Sequence, residues 1–409
     1  MEKEKFSELE KFKDKVYYCW QCGMCRIESY EGLDGDPSAL YMDVCPTWKQ
    51  FDYLETYTGY GKNEIARGIL EGNVPLDKRT AEILYGCTLC GACAEECHAA
   101  TQTRHLENAG AKRLPYNPLD IAQALRDEAV KKGVGPLDAH LRFAKSIEEK
   151  HNPYMEMHEK RTEWLKAKLP EKADVVYFIG CTAAYRRPEI VQDGSTIFKK
   201  AGVDFTIAKD EWCCGSPLLT TGQKDLAKEL AQHNVDTFEK AGVKEVITSC
   251  AGCYRSLKGW YPELVGDLPF EVKHMSEYLE ELINSGSLRP TKNINMSITY
   301  HDPCHLGRHM KVYDAPRAVI NAIPGLKLVE MRRKLDYSFC CGAGAGFRSA
   351  FRDKSINIAS ERVQEAEQLN VDALVTACSF CKYNLVDGAN AIQSKLPVYD
   401  IEELLAKSL

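Results

Sequence analysis

The chain has 409 residues, 44% hydrophobic and 27% charged, with a formal net charge of −6. That length supports two or three compact domains, and the slightly acidic balance gives no footing for nucleic acid or an acidic membrane surface. The unusual number is 18 cysteines. The opening Met1-Glu-Lys-Glu-Lys-Phe-Ser-Glu8 has no apolar stretch of a secretory signal. A chain of this length and ordinary core does not need disulfide staples, so a reducing cytoplasm and metal or redox cysteines are expected. No apolar run approaches the roughly 20 residues needed to cross a bilayer.

Phe6, Leu9, Phe12 and Val16, at spacings of three and four, predict an amphipathic helix over residues 1–18 that packs on the following domain or, in the alternative, docks a partner. From Cys19 to about 170 the pattern is mostly helical, as in Asp120-to-Lys132 and the charged stretch 137–168. Pro118 just ahead of the first and Asp120 as its cap mark that helix start. Ser146-Ile-Glu-Glu-Lys-His-Asn-Pro153 reads as a helix end and linker.

Cys19, Cys22 and Cys25 form one CxxCxxC, with Cys45-Pro46 twenty residues later; Cys87, Cys90 and Cys93 form another, completed by Cys97. Two-residue spacing lets three thiolates wrap three corners of a cube. In two-cluster ferredoxins the fourth cysteine of one run ligates the other cluster. By that rule Cys19, Cys22, Cys25 and Cys97 hold one 4Fe–4S cluster, and Cys87, Cys90, Cys93 and Cys45 the other. His98 stands where proline is usual, and the Cys25–Cys45 gap is long, as in helical ferredoxins of respiratory complexes. Paired zinc sites would call for CxxC pairs rather than triplets. Val44, Trp48, Ile83 and Leu89 are expected to shield the sulfurs.

Ala173-Asp-Val-Val-Tyr-Phe-Ile-Gly-Cys181 is a short apolar strand, after which strands and amphipathic helices alternate as in α/β domains. This half repeats. Cys181, Cys213-Cys214-Gly215 and Cys250-Ala-Gly-Cys253 return as Cys304, Cys340-Cys341-Gly342 and Cys378-Ser-Phe-Cys381. The shifts are 123 for the first cysteine, 127 for the pair and 128 for the CxxC. The stretch Asp225-to-Lys240 likewise matches Asp353-to-Leu369, and the strand from Lys244 matches that from Asp372.

Cys181, Cys250, Cys304 and Cys378 each end a strand-like run, where open α/β sheets bind ligands, and each CxxC then enters a helix whose N-terminus favours thiolate. Gly215 and Gly342 are read as letting bulky inorganic atoms approach the backbone. Vicinal cysteines suit a multi-iron cluster; a zinc site in each copy is the rival. The expected architecture is an α-helical ferredoxin-like N-terminal domain (1–171) followed by two pseudo-symmetric α/β CCG domains (172–293 and 294–409).

Paired CCG units fused behind a two-cluster ferredoxin resemble the D-type heterodisulfide reductase family of methanogenic archaea, over essentially the whole chain. Both units are complete here, unlike the often degenerate units of relatives oxidising lactate, glycolate or glycerol 3-phosphate. The resemblance implies a non-cubane 4Fe–4S cluster on Cys181, Cys213, Cys214, Cys250 and Cys253 and another on Cys304, Cys340, Cys341, Cys378 and Cys381. Eight ferredoxin-type and ten CCG ligands use all 18 cysteines. It further implies reduction of the coenzyme M–coenzyme B heterodisulfide between the two non-cubane clusters, fed through the two cubane ones. A membrane cytochrome b, the E-type component of such reductases, is the implied donor, which puts the chain peripherally on the cytoplasmic face.

An anionic substrate calls for cations near the clusters. Arg186, Arg187, Arg255, Arg308 and Lys382 are candidates for binding it, and His305 and His309, just after Cys304, stand among the cations expected there. His305 is the preferred proton donor. Cys341-Gly-Ala-Gly-Ala-Gly-Phe347 superficially resembles a dinucleotide loop, but follows a ligand pair rather than a clean strand; no flavin or nicotinamide is expected. Two other readings stand beside this one. In the first, a related catalytic component of a membrane redox complex acts on another disulfide. In the second, a purely electron-transferring protein carries zinc or structural clusters in its CCG units.

Overall fold

In the computed structural model the described residues are 6–29, 41–97, 99, 116–165 and 169–409. His98, the first five residues and positions 166–168 of the expected helical stretch lie outside them. The chain forms two compact units that interleave along the sequence. One comprises Met1–His140, Thr220–Gln223 and Asp336–Ile358, and the other Leu141–Leu219, Lys224–Leu335 and Ala359–Leu409.

In the first unit, the helix expected over 1–18 is instead two 3-10 turns, Glu10–Phe12 and Lys15–Tyr18. Neither turn has a side-chain cap, and the Glu128 carboxylate captures the amides of Glu8 and Leu9, so the segment is pinned by a distant side chain rather than by its own helical ladder. Phe6, Leu9 and Val16 nevertheless bury as their spacing implies, against Ile69, Leu84 and Leu125. Each such side chain contributes about 1.5–3 kcal/mol relative to exposure.

Helices follow at Gly59–Glu71, Lys78–Tyr85, Ala92–Glu95 and Pro118–Lys131. The cap of the last is Asn117, whose side chain accepts from Leu119 N at 2.9 Å; Pro118 is its first residue and Asp120 lies within the first turn. Between Cys25 and Cys45, β1 (Ile27–Ser29) and β2 (Tyr41–Asp43) pair antiparallel.

The second unit holds two four-stranded parallel sheets. β3 (Val175–Tyr177), β4 (Phe205–Thr206), β5 (Glu245–Thr248) and β6 (Glu271–His274) run in the order β4-β3-β5-β6. β7 (Met296–His301), β8 (Leu326–Leu328), β9 (Ala373–Thr376) and β10 (Val398–Asp400) run β8-β7-β9-β10, the same arrangement of first, second, third and fourth strand. Val175, Val176 and Tyr177 are all buried, as a parallel strand covered on both faces requires. The helix Pro188–Lys200, from the first sheet's segment, packs on Ile401–Ser408, which follows β10; Met275–Asn284, after β6, packs on Asp314–Ala322.

The expected linker after the helix Asp138–Lys150 is a built turn, with Ser146 Oγ donating to Asn152 O at 2.7 Å and Asn152 fully buried. Among the described residues, no helix is long and apolar enough to cross a membrane.

Candidate metal centres

In the first unit, two small cavities are each walled by cysteine sulfurs. One is lined by Cys19, Cys22, Cys25 and Cys97, together with Trp20, Tyr60 and Tyr116. The other is lined by Cys45, Cys87, Cys90 and Cys93, together with Thr47, Lys62 and Leu89. Each therefore gathers a CxxCxxC triplet and one cysteine from the other motif. Burial pushes the Cys25 thiol up to about 12 and holds Cys93 well above the ordinary thiol value, so these thiols by themselves resist ionisation.

Backbone donors point at these sulfurs. Tyr60 N–H reaches Cys25 Sγ at 3.2 Å, and Leu89 N–H reaches Cys87 Sγ at 3.4 Å. Such donors stabilise sulfur-borne charge and raise reduction potential. Cys22 and Trp20, at the first cavity, are exposed, whereas Cys45 and Cys90, at the second, are buried. Val44 and Leu89 bury as expected, while Trp48 lies under the Arg26 guanidinium, 5.6 Å from its ring centroid.

Two cations near the second cavity have no sequence signature. Lys62 is buried and donates to Tyr57 O at 2.6 Å, and its charge draws the Cys45 thiol down against the burial that raises it. Arg126, also fully buried, donates to the carbonyls of Leu84, Cys87, Thr220 and Ala345. Ala345 lies in the glycine-rich stretch after Cys341 and packs with Leu89, Leu119 and Cys87. The five-residue loop of alternating Gly and Ala therefore builds protein against the ferredoxin-type loop, and Phe347 opens a short helix to Ala350.

In the second unit, Cys181, Cys213, Cys214, Cys250 and Cys253 are all buried. They form one string of thiol contacts, Cys181 to Cys213 to Cys214 to Cys253 to Cys250, and Cys250 continues to Cys378. Donation from Cys213 and Cys253 pulls the Cys214 thiol down to about 6. Cys250 opens the helix Ala251–Tyr254, and Cys378 opens Ser379–Ala391. Gly180 has φ +68°, and a Cβ there would fall 2.9 Å from Cys253 Sγ, so glycine leaves room beside the sulfurs. A buried, all-sulfur donor set with that clearance fits a multi-iron cluster. Of the other CCG set, Cys304, Cys378 and Cys381 belong to the second unit and the vicinal Cys340 and Cys341 to the first.

The reading of the CCG glycines needs a correction. Gly342 has φ +84°, and a Cβ would meet Ile358 and the Ser355 carbonyl at 2.8 Å; Gly215 has φ +78° with Ala227 at 3.5 Å. A left-handed turn accounts for both, and at Gly342 crowding protein atoms add to it.

The cationic candidates differ. Arg186 is paired with Glu156 at 2.8 Å and lies 4.6 Å from the Tyr154 ring centroid. Lys382 is bound to Glu189 at 2.9 Å and to Glu403. Both charges are thus taken by carboxylates. Arg187 lies over Tyr383 at 5.4 Å, and Arg308 is buried. Arg255 stacks 4.2 Å over Trp260 and reaches His305 Nε2 at 3.3 Å, with His309 4.9 Å from His305 between ring centroids. A π-helical turn, Arg255–Trp260, sets up that stack. Sequence reasoning missed Arg161, whose buried guanidinium approaches Cys181 Sγ at 3.7 Å and pairs with Glu211. Its place in a charged run, 20 residues before Cys181, gave nothing to find it by.

Comparison with known proteins separates the N-terminal cysteine motifs from the repeated ones. A 4Fe-4S dicluster domain profile matches residues 14–101, and a cysteine-rich domain profile matches 175–258 and 298–386. The chain is 39% identical, over 96% of its length and 93% of the relative's, to the D component of the dihydromethanophenazine:CoB–CoM heterodisulfide reductase of Methanosarcina barkeri. It is 33% identical to the B component of the fumarate reductase (CoM/CoB) of Methanothermobacter marburgensis, over 75% of this chain and 57% of that one. Among solved structures, a hypothetical protein from Helicobacter pylori shares the fold, with a TM-score of 0.55 and 11% identity over 98% of this chain and 71% of that one.

Proposed function

This chain belongs to the D-type heterodisulfide reductase family, an iron–sulfur oxidoreductase family, and from that premise we propose that it reduces the coenzyme M–coenzyme B heterodisulfide to its two thiols. The observation that carries the reading is the string of five buried thiols at the carboxyl ends of the first sheet, continued to Cys378 of the second repeat. Breaking a disulfide takes two electrons, and four 4Fe–4S clusters would supply one-electron steps and iron sites for sulfur.

Cys19, Cys22, Cys25 and Cys97 would hold one cubane cluster and Cys45, Cys87, Cys90 and Cys93 the other, which the two cavities support. Cys181, Cys213, Cys214, Cys250 and Cys253 would hold one non-cubane cluster, and Cys304, Cys340, Cys341, Cys378 and Cys381 the other. The exposure of Cys22 and Trp20 suits the first cavity to electron entry. In this reading the folding modules are a mainly helical 1–171 and two CCG domains, 172–293 and 294–409, related by a pseudo-twofold axis; the shared strand order supports that relation. Arg255 would bind an anionic end of the substrate, with His305 beside it as a proton donor. The electron donor would be a membrane cytochrome b, with the chain held at the cytoplasmic face.

Metal content and spectroscopy test this together. The full complement predicts about sixteen iron and no zinc, against about eight iron for the cubane clusters alone. Addition of coenzyme M thiol to the oxidised holoprotein should produce a new paramagnetic signal that Cys340→Ser removes. A fully iron-loaded sample that stays silent overturns heterodisulfide chemistry. Cys97→Ser and Cys45→Ser should each remove the spectrum of a different cubane cluster; loss of the same one from both would refute the crossed sets.

A further inference from the structure

The corner where β10 turns into the helix Ile401–Ser408 buries two carboxyl groups, Asp400 and Glu402, at 0% and 1% exposure. Asp400 caps that helix in a capping box with Glu403, and the two carboxyl groups lie against each other, with Glu402 also toward the Ser249 hydroxyl. Burying two adjoining carboxyl groups with both of them charged would be very costly, so the pair favours holding at least one proton.

The matching corner of the first sheet supplies the contrast. There β6 turns into Met275–Asn284 with His274 and Ser276 at the same two positions. His274 Nδ1 and Ser276 Oγ lie 2.8 Å apart, and Glu277 accepts from His274 N at 2.9 Å, as Glu403 accepts from Asp400 N at 2.7 Å. The same turn therefore closes without a carboxyl pair, and the pair is not what the turn requires.

Its surroundings lead in two directions. Inward, Glu402 faces the Ser249 hydroxyl, which is 2.6 Å from Tyr177 Oη. Ser249 immediately precedes Cys250, and its carbonyl accepts from Ser379 N, beside Cys378, at 3.4 Å. Ser249 thus sits where the two CxxC helices begin. Outward, Asp193 on the packed helix Pro188–Lys200 interacts with Glu402 and Glu403 and is only half-buried. The other charged or titratable groups facing this corner are Lys382, Lys407, Glu403, Tyr177 and Tyr300.

We infer that Asp400 and Glu402 share a buried proton and pass it by way of Ser249 toward the junction of the two CxxC helices, with Asp193 refilling the pair from water. Burial pushes Asp400 well above the carboxylate range, with Glu402 and Glu403 adding to it; burial also raises Glu402, with Glu403 adding and hydrogen bonds from Asp400 and Ser249 opposing. Burial, Glu403 and Glu402 push Asp193 up to about 6, which suits a relay to solvent near neutral pH.

The inference rests on the proposed reaction and deepens it. One S–S bond breaks and two S–H bonds form; two electrons come from the donor of that reaction, and the two protons leave the carboxyl pair in turn. Asp400 and Glu402 act through Ser249 and are positioned behind the cluster ligands rather than among them.

The test uses the iron-loaded holoprotein. Infrared difference spectra should show a protonated-carboxyl C=O stretch that shifts in D2O and disappears in Glu402→Gln. With reduced viologen as donor, Glu402→Gln and Ser249→Ala should each slow heterodisulfide reduction by about 100-fold, flatten its pH profile and change its solvent isotope effect. Ser249→Ala leaves the carboxyls intact, so it should keep the infrared band while losing rate. Absence of the band in the wild type overturns the shared proton. Its presence with unchanged rate and pH profile in both variants overturns delivery. A wild type that does not reduce the heterodisulfide at all refutes the proposed function and the delivery step with it, while the band still decides whether the pair holds a proton.

Discussion

The guanidinium of Arg126 donates to the carbonyl of Cys87 at 2.7 Å, inside a fully buried site. The same side chain reaches Thr220 O at 2.8 Å and Ala345 O at 3.1 Å. One cation therefore ties the second CxxCxxC loop to the stretch that follows the second vicinal cysteine pair. It needs no carboxylate partner to do so, because four carbonyl dipoles surround it.

Arg126→Met should lower stability by about 3 kcal/mol or more, since each buried carbonyl left without a donor costs roughly 1–3 kcal/mol. Loss of the buried cation should also move the potential of the cluster proposed at Cys87 to more negative values. Denaturant unfolding and a redox titration of the reconstituted protein read the two effects. An unchanged unfolding midpoint would contradict the role given to Arg126.

Arg255 and Lys382 should separate under kinetics. Arg255→Gln is expected to raise KM for the heterodisulfide by about 10-fold or more, the worth of one charge-assisted contact. Lys382→Met should leave KM near the wild-type value and instead destabilise the fold, because it leaves Glu189 and Glu403 without their buried partner. Equal KM effects in the two variants would remove the distinction drawn from their partners.

His140 gives a pH dependence. It is buried, its Nε2 lies 3.1 Å from Gly346 O, and burial followed by the Arg126 charge hold it down to about 4, against an ordinary 6.5. Above pH 6.5 the ring is neutral in both folded and unfolded chains. Between 6.5 and 4 only the unfolded chain takes up the proton, so stability falls as pH falls. The expected loss is about 2 kcal/mol between pH 6.5 and 5. His140→Gln should remove that portion of the slope in denaturant unfolding measured across the range; an identical slope in the variant would assign it to other groups.

Cysteine spacing made much of the candidate chemistry legible. Thiolates that must wrap one cluster sit at fixed short separations, as in Cys87-x-x-Cys90-x-x-Cys93, so local sequence records them directly. The repeat likewise announced two α/β segments, and both appear as parallel sheets of the same strand order. The N-terminal periodicity identified the buried Phe6, Leu9 and Val16 but not their backbone, because Glu128, 119 residues after Leu9, takes the amides a helix start would present.

What sequence alone determined, then, was which cysteines are candidates for sulfur chemistry and which strands precede them, since both are local patterns. Tertiary structure decided which charges stand near those cysteines and which amides point at their sulfurs. Lys62, Arg126 and Arg161 come near the sulfur sites only through folding, and Lys382 is paired with carboxylates only because Glu189 and Glu403 fold onto it. The physical reason is range. A ligand motif is written in spacings of a few residues, whereas burial and Coulomb interaction depend on neighbours that no spacing in the chain encodes.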